Sequence, residues 1–338
     1  MPITKYWVTG NTAEGFVNFL EDNLQGVDQV ISLKHPSATL KSKVLKNLMN
    51  DFDPENIEVL KSTLAETYLD GFIVRSKSLA IVDSTIAGSN TTETELDAHF
   101  PVEEQNLDEF HNLRQKAYSC YATGLSVHDE LEEIYINQMD FGKADRFTAN
   151  FISELLKHSP AKDDTGQIYH RLFGTNTADG TVNEVPHLIK NIGDVRYIKG
   201  RAGTGKSTFM KKVANACVEK GYDVELYHCS FDPNSADMIL VRGMDFCIFD
   251  STDPHEFFPQ REGETIVDLY EELVEPGTDE KFGDDIFELN NRYKAFMKEG
   301  NRYIKEAGDL LEKLEQNYIN TYSDKDIEKV SRNILNTI

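Results

Sequence analysis

Long hydrophobic runs are missing from this chain. Nowhere in its 338 residues do 18 apolar side chains stand together, so no stretch reads as a transmembrane helix. The opening Met1-Pro2-Ile3-Thr4-Lys5-Tyr6-Trp7 has no apolar core of the signal-peptide kind, and a cytoplasmic protein is expected. Cysteine is scarce. Cys120, Cys217, Cys229 and Cys247 form no CxxC pair, which argues against zinc frameworks and disulfide ladders. Small buried thiols in a reducing compartment are expected instead. The histidines show no ligand spacing either. Positive charge is short as well: 35 Lys and Arg stand against 58 Asp and Glu, a net charge of −23. Such a surface repels nucleic acid and anionic membranes. Without a basic, aromatic-interleaved stripe, a nucleic-acid motor is disfavoured. A local basic site remains open, and a nucleotide needs only one.

What is present is length and pattern. The length suggests about two domains, and 39% hydrophobic residues suffice for ordinary cores. One stretch, Gly200-Arg201-Ala202-Gly203-Thr204-Gly205-Lys206-Ser207, fits the phosphate-loop (Walker A) pattern G-x-x-x-x-G-K-[ST]. Val195–Lys199 before it has strand composition. Ser207 to Lys220 after it reads as a helix, with Phe209, Met210, Val213 and Cys217 at helical spacing and Gly221 as a stop. Glycines let a backbone wrap a phosphate so that N–H groups point at it, helped by the helix N-terminus. In this pattern the backbone from Gly200 through Ser207, with Thr208, cradles the phosphates. Lys206 reaches the β- and γ-phosphates, and Ser207 ligates Mg²⁺. A glycine-rich turn with no ligand would share the glycines, but not the Lys-Ser-Thr that follows them.

The chain repeats itself. Asn11-Thr12-Ala13-Glu14-Gly15 returns as Asn176-Thr177-Ala178-Asp179-Gly180, an offset of 165. The same offset pairs Lys34 with Lys199, Thr39 with Thr204, Lys41 with Lys206 and Ser42 with Ser207. Ile81-Val82-Asp83-Ser84-Thr85 returns as Ile248-Phe249-Asp250-Ser251-Thr252, an offset of 167. Ordered matches at a nearly constant offset argue for duplication of a whole domain. His99-Phe100-Pro101 resembles Phe257-Phe258-Pro259 more weakly. Long helical stretches, about 106 to 157 and about 285 to 336, close the two halves, with Glu and Lys on their polar faces. Adjacent His128 and Asp129 read as surface or packing residues. The polar segment His158 to Gly166 fits a linker, giving a degenerate half at 1–165 and an intact one at 166–338. Each half is expected to run strand, capped helix beginning at Asn11 or Asn176, loop-bearing strand, helix, strand, irregular segment, buried strand. The fold expected is α/β: two tandem P-loop NTPase domains, each a mainly parallel sheet covered by helices.

The first half's loop, His35-Pro36-Ser37-Ala38-Thr39-Leu40-Lys41-Ser42, has lost its glycines. Leu40 stands where Gly205 stands, and Pro36 lacks a backbone donor. Loss of nucleotide binding is expected there. A site with an altered ligand is the alternative, because Lys41 and Asp83 survive. Asp83 and Asp250 end apolar strands, a Walker-B pattern. Asp250 would hold the Mg²⁺ hydration shell opposite Ser207, and Lys206 with Asp250 would carry catalysis. Asp253, His255 and Glu256 are candidates to orient a water or an acceptor hydroxyl. Asp232 and His228 lie near the strand end that lines such crevices, although an Asp-Pro turn accounts for Asp232 equally well. Arg201 and Arg242 are candidates for stabilising phosphate charge.

These residues resemble a family. Asn-Thr-Ala-x-Gly, Lys-Gly-x-x-Gly-Thr-Gly-Lys-Ser-Thr, Gly-Tyr-Asp-Val-Glu-Leu-x-His-Cys-Ser and Asp-Ser-Thr-x-Pro-His look like a bacterial family of tandem P-loop ATPases, described as nucleotide-kinase-like. The likeness covers nearly the whole chain and is strongest from 171 to 260. It implies the fold and the binding of a nucleotide, but no particular reaction. That family carries a glycine-rich loop in its first half too, and this chain departs from it at His35, Ala38 and Leu40. Two functions stay open. One is an Mg²⁺-dependent ATPase or phosphotransferase acting on an unknown acceptor. The other is a nucleotide-gated switch that engages the degenerate half or a protein partner. ATP is the default nucleotide, since no Asn-Lys-x-Asp guanine signature is present.

Overall fold

The computed structural model describes residues 4–96, 106–252 and 256–338. The first half runs β1 (Thr4–Tyr6), β2 (Thr9–Thr12), β3 (Gly15–Asn18), α1 (Leu20–Asn23), β4 (Gln29–Lys34), α2 (Ala38–Met49), β5 (Ile57–Lys61), β6 (Leu69–Val74), β7 (Leu79–Asp83), β8 (Thr92–Glu95), α3 (Asp108–Ile136) and α4 (Phe141–Leu156). The second runs β9 (Ile168–Leu172), β10 (Gly174–Thr177), β11 (Gly180–Asn183), α5 (Val185–Leu188), β12 (Asp194–Lys199), α6 (Lys206–Glu219), β13 (Val224–His228), β14 (Ala236–Val241), β15 (Phe246–Asp250), β16 (Glu264–Asp268), α7 (Leu269–Leu273), α8 (Thr278–Lys281), α9 (Gly283–Thr321) and α10 (Asp324–Leu335).

The halves have the same plan. One sheet is ordered β1-β5-β6-β7-β4-β8 and the other β9-β13-β14-β15-β12-β16. Each strand of the first has a counterpart in the second, paired with the same sense to the same neighbours. Even the irregularity in the β5–β6 ladder, at Leu60/Lys61, recurs between β13 and β14 at Tyr227/His228. The sheets are mainly parallel, as expected, with five of the six strands of each running the same way; the correction concerns one strand apiece. Both sheets are mixed, because β6 and β14 run antiparallel to both neighbours. These two strands fill the stretch expected to be irregular.

A second correction concerns Asn-Thr-Ala-acid-Gly. It caps no helix. It forms the tip of a β-hairpin, β2–β3 in one half and β10–β11 in the other. Thr12 and Thr177 accept the N–H two residues on, and Gly15 and Gly180 take φ of 96° and 107°. That left-handed backbone favours glycine and turns the chain back on itself.

Packing crosses the midpoint of the sequence. A central core joins Tyr6, Val8, Leu60 and Val82 of the first half to Phe173, Tyr197, Tyr227 and Phe249 of the second. On the outer faces the closing helices change partners. Phe147 and Phe151 of α4 pack on Phe209 of α6, in the second half. Ile327, Val330 and Ile334 of α10 join the core of α2, in the first. The boundary at 165 therefore divides the chain in sequence, while each sheet is covered by helices from beyond it. Each expected closing stretch is a pair of helices. Among the described residues no helix is long and apolar enough to cross a membrane.

Candidate functional site

Strand β12 ends at Lys199, and the loop from Gly200 to Gly205 delivers the chain to α6. Phe209, Met210, Val213, Ala214 and Cys217 hold that helix against the sheet, so the position of its N-terminus is fixed by apolar packing. Gly205 is the N-cap, with φ 79° and no side-chain cap. The first-turn N–H groups of a helix carry partial positive charge and lack intrahelical partners. Gly203 also has positive φ, 71°, and a Cβ there would stand 2.5 Å from the Glu132 carbonyl oxygen. Thr204 Oγ1 donates to the Arg201 carbonyl at 2.8 Å, and Lys206 Nζ donates to the same oxygen at 2.7 Å. Ala202 packs with Leu131, Tyr135 and Val274, and Thr208 is exposed on the first turn.

Lys206 Nζ lies 3.5 Å from Asp250 Oδ2 at the end of β15. The other Asp250 oxygen accepts from the Thr252 N–H at 3.1 Å and the Thr252 hydroxyl at 2.7 Å, which fixes the carboxylate's direction. Ser207 Oγ accepts from the Ala236 N–H at 2.9 Å, tying the loop to β14. The next residue on β14, Asp237, lies one position beyond the Met238–Phe249 pair of the β14–β15 ladder, opposite Asp250. Burial, and then the Asp250 charge, push the Asp237 carboxyl up to about 7. Sequence reasoning missed Asp237 because it missed the strand that carries it.

No group of three or more His, Cys, Asp or Glu gathers as a metal cluster among the described residues. Mg²⁺ does not require one, since it is commonly held by one or two carboxylates, a hydroxyl, waters and phosphate oxygens. The Ser207 hydroxyl and the Asp250 carboxylate are all-oxygen donors of that kind, fixed by β14 and Thr252.

The loop floors a cavity of about 1340 Å³, larger than the ~300–1,000 Å³ of common ligand sites. Its walls come from both halves. His128, Asp129 and Glu132 of α3 form one side. Asn176 and Thr181 of the β10–β11 hairpin and Asn290, Tyr293 and Asn301 of α9 form another. His128 and Asp129, read from the sequence as surface or packing residues, thus line the cavity. Burial holds the His128 imidazole below its ordinary value, opposed by Glu132 and reinforced by the Lys206 charge.

Other expected residues divide. Asp232 and Glu256 line the cavity, Asp232 within its turn and Glu256 paired with Lys199 at 3.1 Å. Arg201 also lines it, but its guanidinium pairs with Asp279 at 2.9 Å and lies over Tyr270. Arg242 is engaged elsewhere, on Glu225 at 2.6 Å. His228 stacks on Phe19 and contacts His170 at 2.8 Å, outside the cavity lining. Asp253 and His255 lie outside the described residues.

The corresponding place in the first half is closed. Lys41 and Asp83 form an ion pair at 2.7 Å with side chains only 3% and 9% exposed, against 14% and 18% for Lys206 and Asp250. Ser42 Oγ accepts from the Leu69 N–H at 3.0 Å, as Ser207 does from Ala236. Leu40 is fully buried in the core. Helix α2 begins at Ala38 with Ser37 as N-cap, its hydroxyl accepting from the Leu40 N–H. Glu315 of α9 reaches into that N-terminus. Its carboxylate accepts from the Ala38 N–H at 3.1 Å, from the Thr39 N–H at 3.2 Å and from the Ser37 hydroxyl. Comparison of the chain with protein-family models, with curated proteins and with solved structures returned no match.

Proposed function

We propose that the second half binds a nucleoside triphosphate, ATP by default, with Mg²⁺, and hydrolyses it or passes its γ-phosphoryl group to an acceptor. One observation carries this reading: an uncapped helix N-terminus behind a glycine loop, with Lys206 and Asp250 3.5 Å apart beside it, on the floor of a 1340 Å³ cavity. The loop N–H groups and Lys206 would receive the phosphates. Ser207 and Asp250 would hold Mg²⁺, which when bound supplies charge neutralisation at the phosphate oxygens. The chain's own part is positioning and electrostatic stabilisation in a walled site. The matched strand orders support the further reading that the halves are duplicated P-loop NTPase domains, as in the tandem P-loop ATPase family the sequence resembles. The first half is then a structural or regulatory partner.

A second reading, a nucleotide-gated switch with little turnover, is favoured by the cavity walls. Helices from both sides of the sequence midpoint line it, so an occupant touches both. Steady-state hydrolysis with Mg²⁺, alone and with hydroxyl acceptors, separates the two. Turnover abolished by Lys206→Ala excludes the pure switch. Tight binding with no turnover under any condition excludes the enzyme. No nucleotide binding at all removes both.

A further inference from the structure

Glu315 is an anion with no exposed surface. Its side chain comes from the second half of the sequence and ends among donors of the first: two N–H groups of the first turn of α2 and the Ser37 hydroxyl. A carboxylate stripped of water costs several kcal/mol unless its oxygens are matched by donors. Here the donors are those a helix N-terminus offers to phosphate.

A second observation points the same way. The sequence around Glu315, Leu314-Glu315-x-x-Tyr318-Ile319-Asn320, repeats Leu131-Glu132-x-x-Tyr135-Ile136-Asn137 of α3. Glu132 lies against the intact loop as Glu315 lies against the degenerate one. There the outcome differs. The Glu132 backbone rests directly on Gly203, and its carboxylate is 3.7 Å from His128 Nδ1, more than a third exposed. The helix N-terminus behind Gly205 has no side-chain cap. In the first half Ala38 replaces Gly203, and its N–H is one of the groups that hold Glu315.

We propose that the N-terminus of α2 is an oxyanion site with a built-in occupant. The Glu315 carboxylate takes the seat of a phosphate group, and a small oxyanion takes over that seat when the carboxylate is removed. Three donors and the helix dipole define the ligand class: inorganic phosphate or a like tetrahedral anion. The bulk of Leu40 and the Lys41–Asp83 pair leave no corresponding place for a nucleotide. The proposal stands apart from nucleotide binding in the second half.

The test uses the full chain and inorganic phosphate, followed at the Ala38 and Thr39 amide resonances. These report the first site whatever the second does. In Glu315→Ala both resonances are expected to move saturably at millimolar phosphate, and the variant's melting temperature to rise more than that of the unsubstituted protein. In the unsubstituted protein both resonances should stay still. Amides that ignore phosphate in the variant, or respond equally in both proteins, overturn the proposal. Folding of Glu315→Ala only when phosphate is present supports it. If that variant folds under neither condition, Glu315→Gln decides, because it keeps the volume and removes the charge. Lower stability than the unsubstituted protein is expected of it, and unchanged stability overturns the proposal.

Discussion

Asn11 and Asn176 each donate a side-chain N–H to the other's backbone carbonyl, at 2.8 Å and 3.3 Å. They stand at equivalent places in the two hairpins, both buried, so the join between the halves is self-complementary. Replacing either by Ala leaves a buried carbonyl short of a donor, an expected loss of about 1–3 kcal/mol. Because the two bonds share one small contact, the double variant is expected to lose less than the sum of the singles. Urea unfolding of the three variants measures this, and strict additivity would show that the two asparagines act independently.

Lys41 and Lys206 occupy equivalent positions, and their replacement should have opposite consequences. Lys41→Ala strands the buried Asp83 and is expected to cost about 3–5 kcal/mol while leaving nucleotide binding unchanged. Lys206→Ala, at a partly open site, is expected to change stability little and to abolish nucleotide binding. Thermal melts and equilibrium titration with ATP and Mg²⁺ on both variants check the pair.

Gly203 and Gly205 share a positive φ but not a neighbourhood. A Cβ at 205 meets only Met139 Cε, at 3.4 Å, whereas at 203 it meets the Glu132 backbone, which cannot turn aside. Gly205→Ala is therefore expected to cost about 1 kcal/mol of backbone strain. Gly203→Ala is expected to cost distinctly more, because α3 must move away. Melting temperatures of the two variants, compared side by side, test the ranking.

Asp70, the counterpart of Asp237, gives the first half a pH dependence. Burial pushes its carboxyl up to about 7, although hydrogen bonds from Thr9 and Ser62 pull the other way. The folded protein therefore keeps a proton that the unfolded chain releases near pH 4. Its contribution to stability is fully present below that pH and is lost as the pH rises through 7. Asp70→Asn should remove this dependence. The variant should gain on the unsubstituted protein between pH 4 and 8, with a ceiling of about 4 kcal/mol for three pH units. Denaturant unfolding at several pH values reads the difference, and parallel curves would contradict it.

The exchanged helices predict how the halves behave apart. Residues 1–165 made alone lack α10, so the side of α2 that Ile327, Val330 and Ile334 cover is bare. Residues 166–338 made alone lack α4 over α6. Neither piece is expected to unfold cooperatively by itself, and the two produced together are expected to associate. Circular dichroism melts of each piece and of the mixture test this. Two independent sharp transitions would refute it.

How much of this was legible beforehand follows from the range of each interaction. The loop, its flanking strand and helix, and Asp250 are local patterns, and the chain carries them in order. The strands β6 and β14 escaped because Asp-Pro and short polar turns before them read as irregular structure, and Asp70 and Asp237 escaped with them. Asn11 looked like a helix cap because residue type and spacing match one. Only the positive φ at Gly15 and Gly180 marks the hairpin. The apolar stripes of α4 and α10 announce that one face is buried, but nothing local says against which sheet. Glu315 meets Ser37 across 278 positions, and no pattern within a window of sequence reveals such a pair.

The crossing of α10 also sets an order of events during synthesis. The first sheet leaves the ribosome well before Ile327, Val330 and Ile334, which cover α2. At ~5–20 residues per second, the side of α2 turned toward α10 waits on the order of 15–60 s for its cover. Contacts of such sequence separation also close slowly. The first half is thus made before the second and finished only after it.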